Sequence, residues 1–309
     1  MRTSRREVSL CVALAVLLLV LAICAPSFYH LNPLLSLGAR QAPALIVTCG
    51  LALVIISRQI DISVGSQFAV CNVTAGLLFS AGWPTLLVIV ASVLAGALIG
   101  CLNGVLVAGL RLPSIVVTLA TMAGLREGLR WQRQGEFVDL PTHTQWFGFQ
   151  QVPGQLLIIL GGVGVLITTA LATKFLRAGR LVYAAGSNPE AARLAGLRPQ
   201  AVIFAVFVLL GALTGLAAAL NAVQSPQVDP KSGTGLELQV IAAAVVGGVA
   251  ISGGRGTVIG AALGLVLLAC ISPALTYLHT QAYWERAIQG VVILLAVVGE
   301  GLAGRRESS

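Results

Sequence analysis

Acid–base, nucleophilic and metal chemistry need side chains that this 309-residue chain supplies sparingly. It has eleven Asp and Glu, three His, six Cys and two Lys. The histidines (His30, His143 and His279) stand alone, with no H-E-x-x-H spacing, and no G-x-S-x-G is present. The cysteines (Cys11, Cys24, Cys49, Cys71, Cys101 and Cys270) are solitary, mostly within apolar runs, and read as packing residues without metal or disulfide spacing. Neither lysine, Lys174 nor Lys231, sits in G-x-x-x-x-G-K-[ST], so the chain cannot hydrolyse ATP through a P-loop. An embedded enzyme would need a catalytic cluster, and none is visible.

What remains is polar chemistry at the starts of apolar segments. Asp61 lies in IDISVGS (Ile60–Ser66) and Glu237 in SGTGLEL (Ser232–Leu238), two stretches that combine small residues, one acid and an apolar continuation. One reading makes these acids, with Ser63, Ser66 and Thr234, polar borders of a route through a membrane. A second places each acid in a helix's first turn at headgroup level, where it offsets the dipole. A third uses Asp61 and Glu237 as proton or sodium sites of an ion-coupled transporter. Asn103, Thr118 and Thr121, further along, can bond between helices or to a hydroxylated solute.

The elements that position these residues follow from composition. The chain is 57% hydrophobic and 10% charged, with mean hydropathy +0.93. Soluble domains carry about 25% charged residues, so this is an all-α polytopic membrane protein. The net charge of +8 is dispersed between apolar runs, as basic residues flanking spans are, and does not indicate nucleic acid. Apolar segments near 8–25, 43–57, 62–80, 84–109, 113–128, 154–176, 201–223, 236–251, 257–278 and 284–301 predict about ten spans, with eight as the fallback. The first reads as an uncleaved span, not a signal peptide. The second, fifth and eighth are short enough to conceal a half-span.

With both termini cytoplasmic, thirteen Lys and Arg fall inside and six outside, although Arg126, Arg130 and Arg133 run against the trend. The whole of 1–309 then forms one transmembrane domain, with an outer loop at 129–152 and a cytoplasmic loop at 177–200. Gly96, Gly100 and Gly104 in the fourth span match Gly256, Gly260 and Gly264 in the ninth, two G-x-x-x-G-x-x-x-G ridges suited to close helix approach. Together with the paired acids they predict an inverted 5+5 repeat.

The 177–200 loop carries a short helix with complete end signals. Asn188 is the N-cap, Pro189 suits the first position and Glu190 meets the positive helix end. Ala191, Ala192, Arg193 and Leu194 continue it, Gly196 can end it left-handed, and Pro199 blocks a restart. About two turns are not stable alone in water, so the helix needs a partner surface.

These blocks in order carry a resemblance: IDISVGS, CLNGVLVAGLRLPSIVVTLATM, YAAGSNPEAARLAGL and GTGLELQVIAAAVVGGVAISGGRGTVIGA. Over nearly its whole length the chain resembles the permeases of binding-protein-dependent sugar ABC importers, the class serving ribose, xylose, rhamnose and autoinducer 2. Many members have two glycines where this chain has Arg58-Gln59 before Ile60-Asp61, a departure closer to the autoinducer-2 branch. LPSIVVTLATM followed by GEFVDLP is also similar to rhamnose permeases. The resemblance implies a multi-pass bacterial inner-membrane subunit working by alternating access. Its implied partners are a separate ATPase that binds ATP and Mg, a second permease copy or homologue, and a periplasmic solute-binding protein. No cofactor is implied in this chain. By the same resemblance, Asn188 to Leu194 and Gly196 correspond to the coupling helix that docks on the ATPase.

Overall fold

The computed structural model describes residues 5–277, together with 287, 290, 291 and 294. The predicted tenth span, 284–301, therefore lies almost wholly outside the described residues. The chain begins with α1 (Arg5–Cys24), α2 (Leu31–Ile56), α3 (Val64–Ser80), α4 (Thr85–Gly104) and α5 (Ser114–Arg133). The strand β1 (Val138–Asp139) leads to α6 (Gln151–Phe175), then α7 (Arg177–Ser187) and α8 (Pro189–Leu194). Next come α9 (Pro199–Ala222), β2 (Gln227–Val228), α10 (Leu236–Val246), α11 (Val258–Ala269) and α12 (Ile271–Tyr277). Five helical stretches among the described residues are long and apolar enough to cross a bilayer, and three shorter apolar helices accompany them.

The helix α2 is the axis of the molecule. Its most apolar window is 83% buried, against 22% for α4 and 17% for α6, so α2 is enclosed while α4 and α6 turn most of their surface outward. Ile46, Leu51 and Ile55 of α2 meet Phe207 and Leu210 of α9 in the core. Gly50 has only 3.2 Å between an added methyl and the Leu210 Cα, so the two backbones run close. The predicted second span began at residue 43, but α2 continues unbroken through Pro43 from Leu31. The neighbours α6 and α9 enclose this stretch, so the bond Pro43 removes is not exposed to lipid.

The first glycine ridge forms as a helix face. Methyl groups on Gly96 and Gly100 would overlap the carbonyls of Gly211 and Phe207 in α9, and one on Gly104 would stand 2.9 Å from the Phe204 ring. The second ridge does not form as predicted. Gly256 precedes the helix with φ +113, because Thr257 is the N-cap of α11 and its hydroxyl accepts the Gly260 N–H. Gly260 and Gly264 face α10, against the carbonyls of Gly247 and Ala243. One ridge thus packs on α9 and the other on α10, so the matching glycine spacing does not reflect equivalent contacts.

Of the three short predicted spans, the eighth is the half-length one. Its helix α10 has eleven residues, about 16 Å at 1.5 Å per residue, or half the hydrocarbon thickness. The chain reaches its start by running beside α3. Val228 touches Gly76, Ser232 bonds Asn72, and Gly233 packs on Gly65. The two short strands pair antiparallel (Val138 with Val228, Asp139 with Gln227) and cap the Gly76 end of α3. This ribbon is the departure from the all-α expectation.

Candidate functional site

Asp61 stands three residues before α3 and is fully buried. It is not in the first turn of the helix. Its Oδ1 accepts the Ser63 backbone N–H at 2.8 Å and the Ser63 hydroxyl at 2.6 Å. Its Oδ2 accepts the Gln67 amide at 3.2 Å and the Asn103 amide at 3.4 Å. The Ser63 Oγ in turn accepts Gln67 Nε2 at 2.7 Å and Asn103 Nδ2 at 2.9 Å. Thr121 donates to Asn103 Oδ1 at 2.7 Å, and Thr118 Oγ1 accepts the Ile62 N–H at 3.2 Å. Ser66 donates back to the Ser63 carbonyl at 2.8 Å. Asp61, Ser63, Ser66, Asn103, Thr118 and Thr121 therefore belong to one assembly that ties the start of α3 to α4 and α5. Gln67, fully buried at its centre, was missed because a single amide in an apolar run carries no periodic signal.

Glu237 and Thr234 are placed apart from that assembly. Glu237 is the second residue of α10, and its Oε1 accepts the Gly235 N–H at 3.2 Å. Its Oε2 is buried against Gly65, where any side chain larger than hydrogen would collide with it. The exposed Thr234 donates to the Lys231 carbonyl at 2.6 Å. Asn72 donates to Ser232 Oγ at 2.9 Å, while Arg126 reaches the Ser232 carbonyl at 3.4 Å. Among the described residues, Asn72 Oδ1 and Glu237 Oε2 are buried acceptors with no donor. Both lie where the segment descending to α10 meets α3. Buried acceptors are rarely left without a partner, so this seam has capacity for a ligand's hydroxyl groups or for water.

The 177–200 loop forms the second site. The Asn188 Oδ1 accepts the N–H groups of Glu190 at 3.1 Å and Ala191 at 3.0 Å. The C-terminus closes as a Schellman pair, Leu197 N–H to the Ala192 carbonyl and Gly196 N–H to the Arg193 carbonyl, both at 3.0 Å, with Gly196 at φ +81. Pro189 opens the helix, Ala192 faces inward, and Glu190 pairs with Arg193 at 3.2 Å on the exposed side. Leu194 is 81% exposed, an apolar side chain offered outward beside charged ones. Pro199 does more than stop this helix, since it is the first residue of α9.

A helix that sequence reasoning missed, α7, anchors this loop. Gly179, Val182, Ala185 and Gly186 form its buried side, a spacing visible in the sequence but masked by Arg177 and Arg180. At its end Gly186 lies against the Ile56 carbonyl of α2, which also accepts the Gly254 N–H at 2.8 Å. Tyr183 donates to the Gly256 carbonyl at 2.8 Å. The loop is thereby fastened to the end of α2, five residues before Asp61.

The family described as "Branched-chain amino acid transport system / permease component" matches residues 34–297. The chain belongs to this family. It is similar over 308 residues to the autoinducer 2 import system permease protein LsrC of Escherichia coli (strain K12 / DH10B), at 34% identity, covering 96% of this chain and 87% of that protein. The Salmonella typhi protein of the same description is 33% identical over 305 residues, covering 96% and 86%. That of Yersinia enterocolitica is 33% identical over 305 residues, covering 96% and 83%. No solved structure matches the chain. The chain is thus a permease component of a sugar-type ABC importer, a multi-pass inner-membrane protein and not an enzyme.

Proposed function

We propose that this permease moves autoinducer 2, a small polyhydroxylated solute, across the inner membrane, driven by a separate ATPase. A second permease copy or homologue completes the passage, and a periplasmic binding protein delivers the solute. The observation that carries the site is the seam between α3 and the approach to α10, where Asn72 Oδ1 and Glu237 Oε2 lack donors. A solute rich in hydroxyls supplies donors, and an apolar one does not. The LsrC proteins, similar over 96% of the chain, support the choice of solute.

In this reading both termini are cytoplasmic and ten spans form an inverted 5+5 repeat. Arg58, Arg111, Arg255 and the basic residues of the 177–200 loop share one end of the molecule, which supports that end being cytoplasmic. The repeat is supported by packing. Around the α2–α9 pair, α3 contacts α9 as α10 contacts α2, and α4 contacts α9 as α11 contacts α2. ATP-driven closure of the ATPases would move Asn188 to Leu194 and Gly196, and through them the two halves, between outward- and inward-open states. ATP and Mg bind the ATPase, and this chain carries no cofactor.

The test is reconstitution of the chain with its ATPase, second permease subunit and binding protein in liposomes, with autoinducer 2 and rhamnose as parallel solutes. Autoinducer 2 is expected to stimulate ATP hydrolysis and to be taken up in the presence of an uncoupler. Asn72→Leu, which removes one seam acceptor and the bond to Ser232, is expected to lower uptake per folded molecule at a stability cost of only about 1 kcal/mol. Stimulation by rhamnose alone would overturn the solute. Uptake that survives ATP depletion and collapses with the uncoupler would overturn the ATP-driven reading in favour of ion coupling through Asp61 and Glu237.

A further inference from the structure

A cavity of about 550 Å³ opens beneath the 177–200 loop, between the end of α6, the first half of α7 and the start of α9. Its walls are apolar, with Ala172, Val182, Leu197, Val202 and Val206 prominent. The two hydroxyls that line it are already used within α6, Thr169 donating to the Val165 carbonyl at 2.7 Å and Thr173 to that of Ala170 at 2.9 Å. Such a lining offers nothing to a sugar-like solute and suits hydrocarbon. The volume falls within the roughly 300–1,000 Å³ typical of small-molecule sites.

Its surroundings point to the source of that hydrocarbon. Leu209, on the cavity wall, is also exposed, as are Leu171 and Phe175 beside it on α6. The cavity is therefore continuous with the outward face of two membrane spans. At the rim stands Arg198, exposed, its guanidinium without a hydrogen bond or ion pair among the described residues. Lys174 and Arg177, adjacent in sequence to the lining residues Thr173 and Ala178, add positive charge at the same end. Basic residues at the mouth of an apolar pocket between spans are the arrangement that recognises an anionic headgroup with its acyl chain.

We propose that this cavity holds one acyl chain of an anionic phospholipid, with Arg198 engaging the headgroup phosphate. The occupant touches the loop directly. Gly179, Leu181 and Val182 of α7 and the Gly196–Leu197 end of α8 form part of the wall. Gly179 also packs on the backbone of Thr173, so α7 cannot close over the space without breaking that contact. A bound chain fills the volume under α7 and α8 and holds the loop at a fixed height above α6 and α9. The site makes no use of the seam or its solute and stands independently of the transport reading.

The experiment uses the full chain in nonionic detergent with phosphatidylglycerol or phosphatidylcholine bearing a photoactivatable group near the acyl terminus, and maps labelled peptides. Phosphatidylglycerol is expected to label 172–182 and 196–209 above the other lipid-facing helices. Val202→Trp and, separately, Ala205→Trp fill the space and are expected to abolish labelling there while leaving labelling of α4 unchanged. Arg198→Gln is expected to reduce the preference for phosphatidylglycerol about fivefold, as loss of one basic contact to an anionic lipid does. Labelling spread evenly over α4, α6 and α9, or left intact by both filling variants, refutes the site. Equal labelling by phosphatidylcholine refutes the anionic headgroup. Cross-links from a second protein chain into the cavity refute the lipid as occupant.

Discussion

Replacing Asp61 by Asn preserves shape and changes only which atoms can accept. Three obligate donors, the Ser63 N–H and the amides of Gln67 and Asn103, point at its two oxygens. An Asn that keeps its oxygen on Ser63 turns an NH2 towards Gln67 and Asn103. That removes two bonds to an ionised group, each worth roughly 1.5–3 kcal/mol, and the 3.4 Å contact to Asn103 belongs at the lower end. The gross loss is about 4 kcal/mol. Two effects offset part of it. Gln67 Oε1, which has no donor among the described residues, can accept from the new NH2 if the amide turns, recovering about 1 kcal/mol. A carboxylate without a Lys or Arg partner also sheds its desolvation burden when neutralised. The net destabilisation is about 2 kcal/mol, or about 3 °C in the melting midpoint of a chain this size. Thermal unfolding in detergent, followed by size exclusion, measures it, with uptake scored per folded molecule. The midpoint is expected to fall and uptake per folded molecule to persist. A variant that melts within about 1 °C of the parent yet transports nothing would show that Asp61 serves the solute or an ion, and refute the clamp.

Two further perturbations separate packing from coupling. Gly96→Ala places a methyl against the Gly211 carbonyl and is expected to cost about 2 kcal/mol by overpacking, whereas Gly128→Ala in α5 meets nothing within 4 Å and is expected to be neutral or stabilising by up to about 1 kcal/mol. Thermal midpoints of the pair test this, and equal midpoints would contradict the close α4–α9 approach. Glu190→Lys loses an exposed ion pair to Arg193, worth about 0.5 kcal/mol, so folding is expected to survive while stimulation of the ATPase and uptake are lost. Normal uptake at wild-type expression would overturn the coupling assignment.

The parts legible in the sequence were those governed by local rules. Hydrophobic length located the apolar helices among the described residues, and the end signals around Pro189–Leu194 located a helix whose capping bonds the structure contains. Residue type also singled out Asp61, Ser63, Asn103, Thr118 and Thr121, because polar groups are conspicuous in apolar surroundings. What escaped depends on which surface faces which. A glycine ridge shows that two backbones can approach but not which second backbone is meant, so the pairing of Gly96 with α9 and of Gly260 with α10 was hidden. The same limit applied to Gly256, whose left-handed φ of +113 places it in a turn that glycine spacing alone cannot distinguish from helix. Gln67 was overlooked for the opposite reason. One amide among apolar neighbours reads as tolerated noise until Asp61 and Asn103 are brought around it by the fold.

The two sites are linked by backbone contacts that leave no slack. Gly186 has no side chain between it and the Ile56 carbonyl, and the Gly254 N–H bonds the same oxygen. A push on α8 therefore reaches the end of α2 as displacement of a backbone group, with no rotamer to absorb it. Five residues on, Asp61 gathers donors from α3 and α4, and Thr121 extends the assembly to α5, so these three helices respond together. The approach to α10 is different. Among the described residues, its side-chain hydrogen bonds to α3 and α5 run through Ser232, from Asn72 and Arg126, and its glycines at 233 and 235 have φ of +75 and +86. On the proposed transport reading, a rigid group of helices beside a segment tied to them by few side-chain bonds suits a two-state passage, because the differential contact between states is concentrated at one seam. The seam is also where Asn72 Oδ1 and Glu237 Oε2 wait without donors. On the proposed transport reading, opening there would break the Ser232 bonds and expose the acceptors that a hydroxylated solute can satisfy.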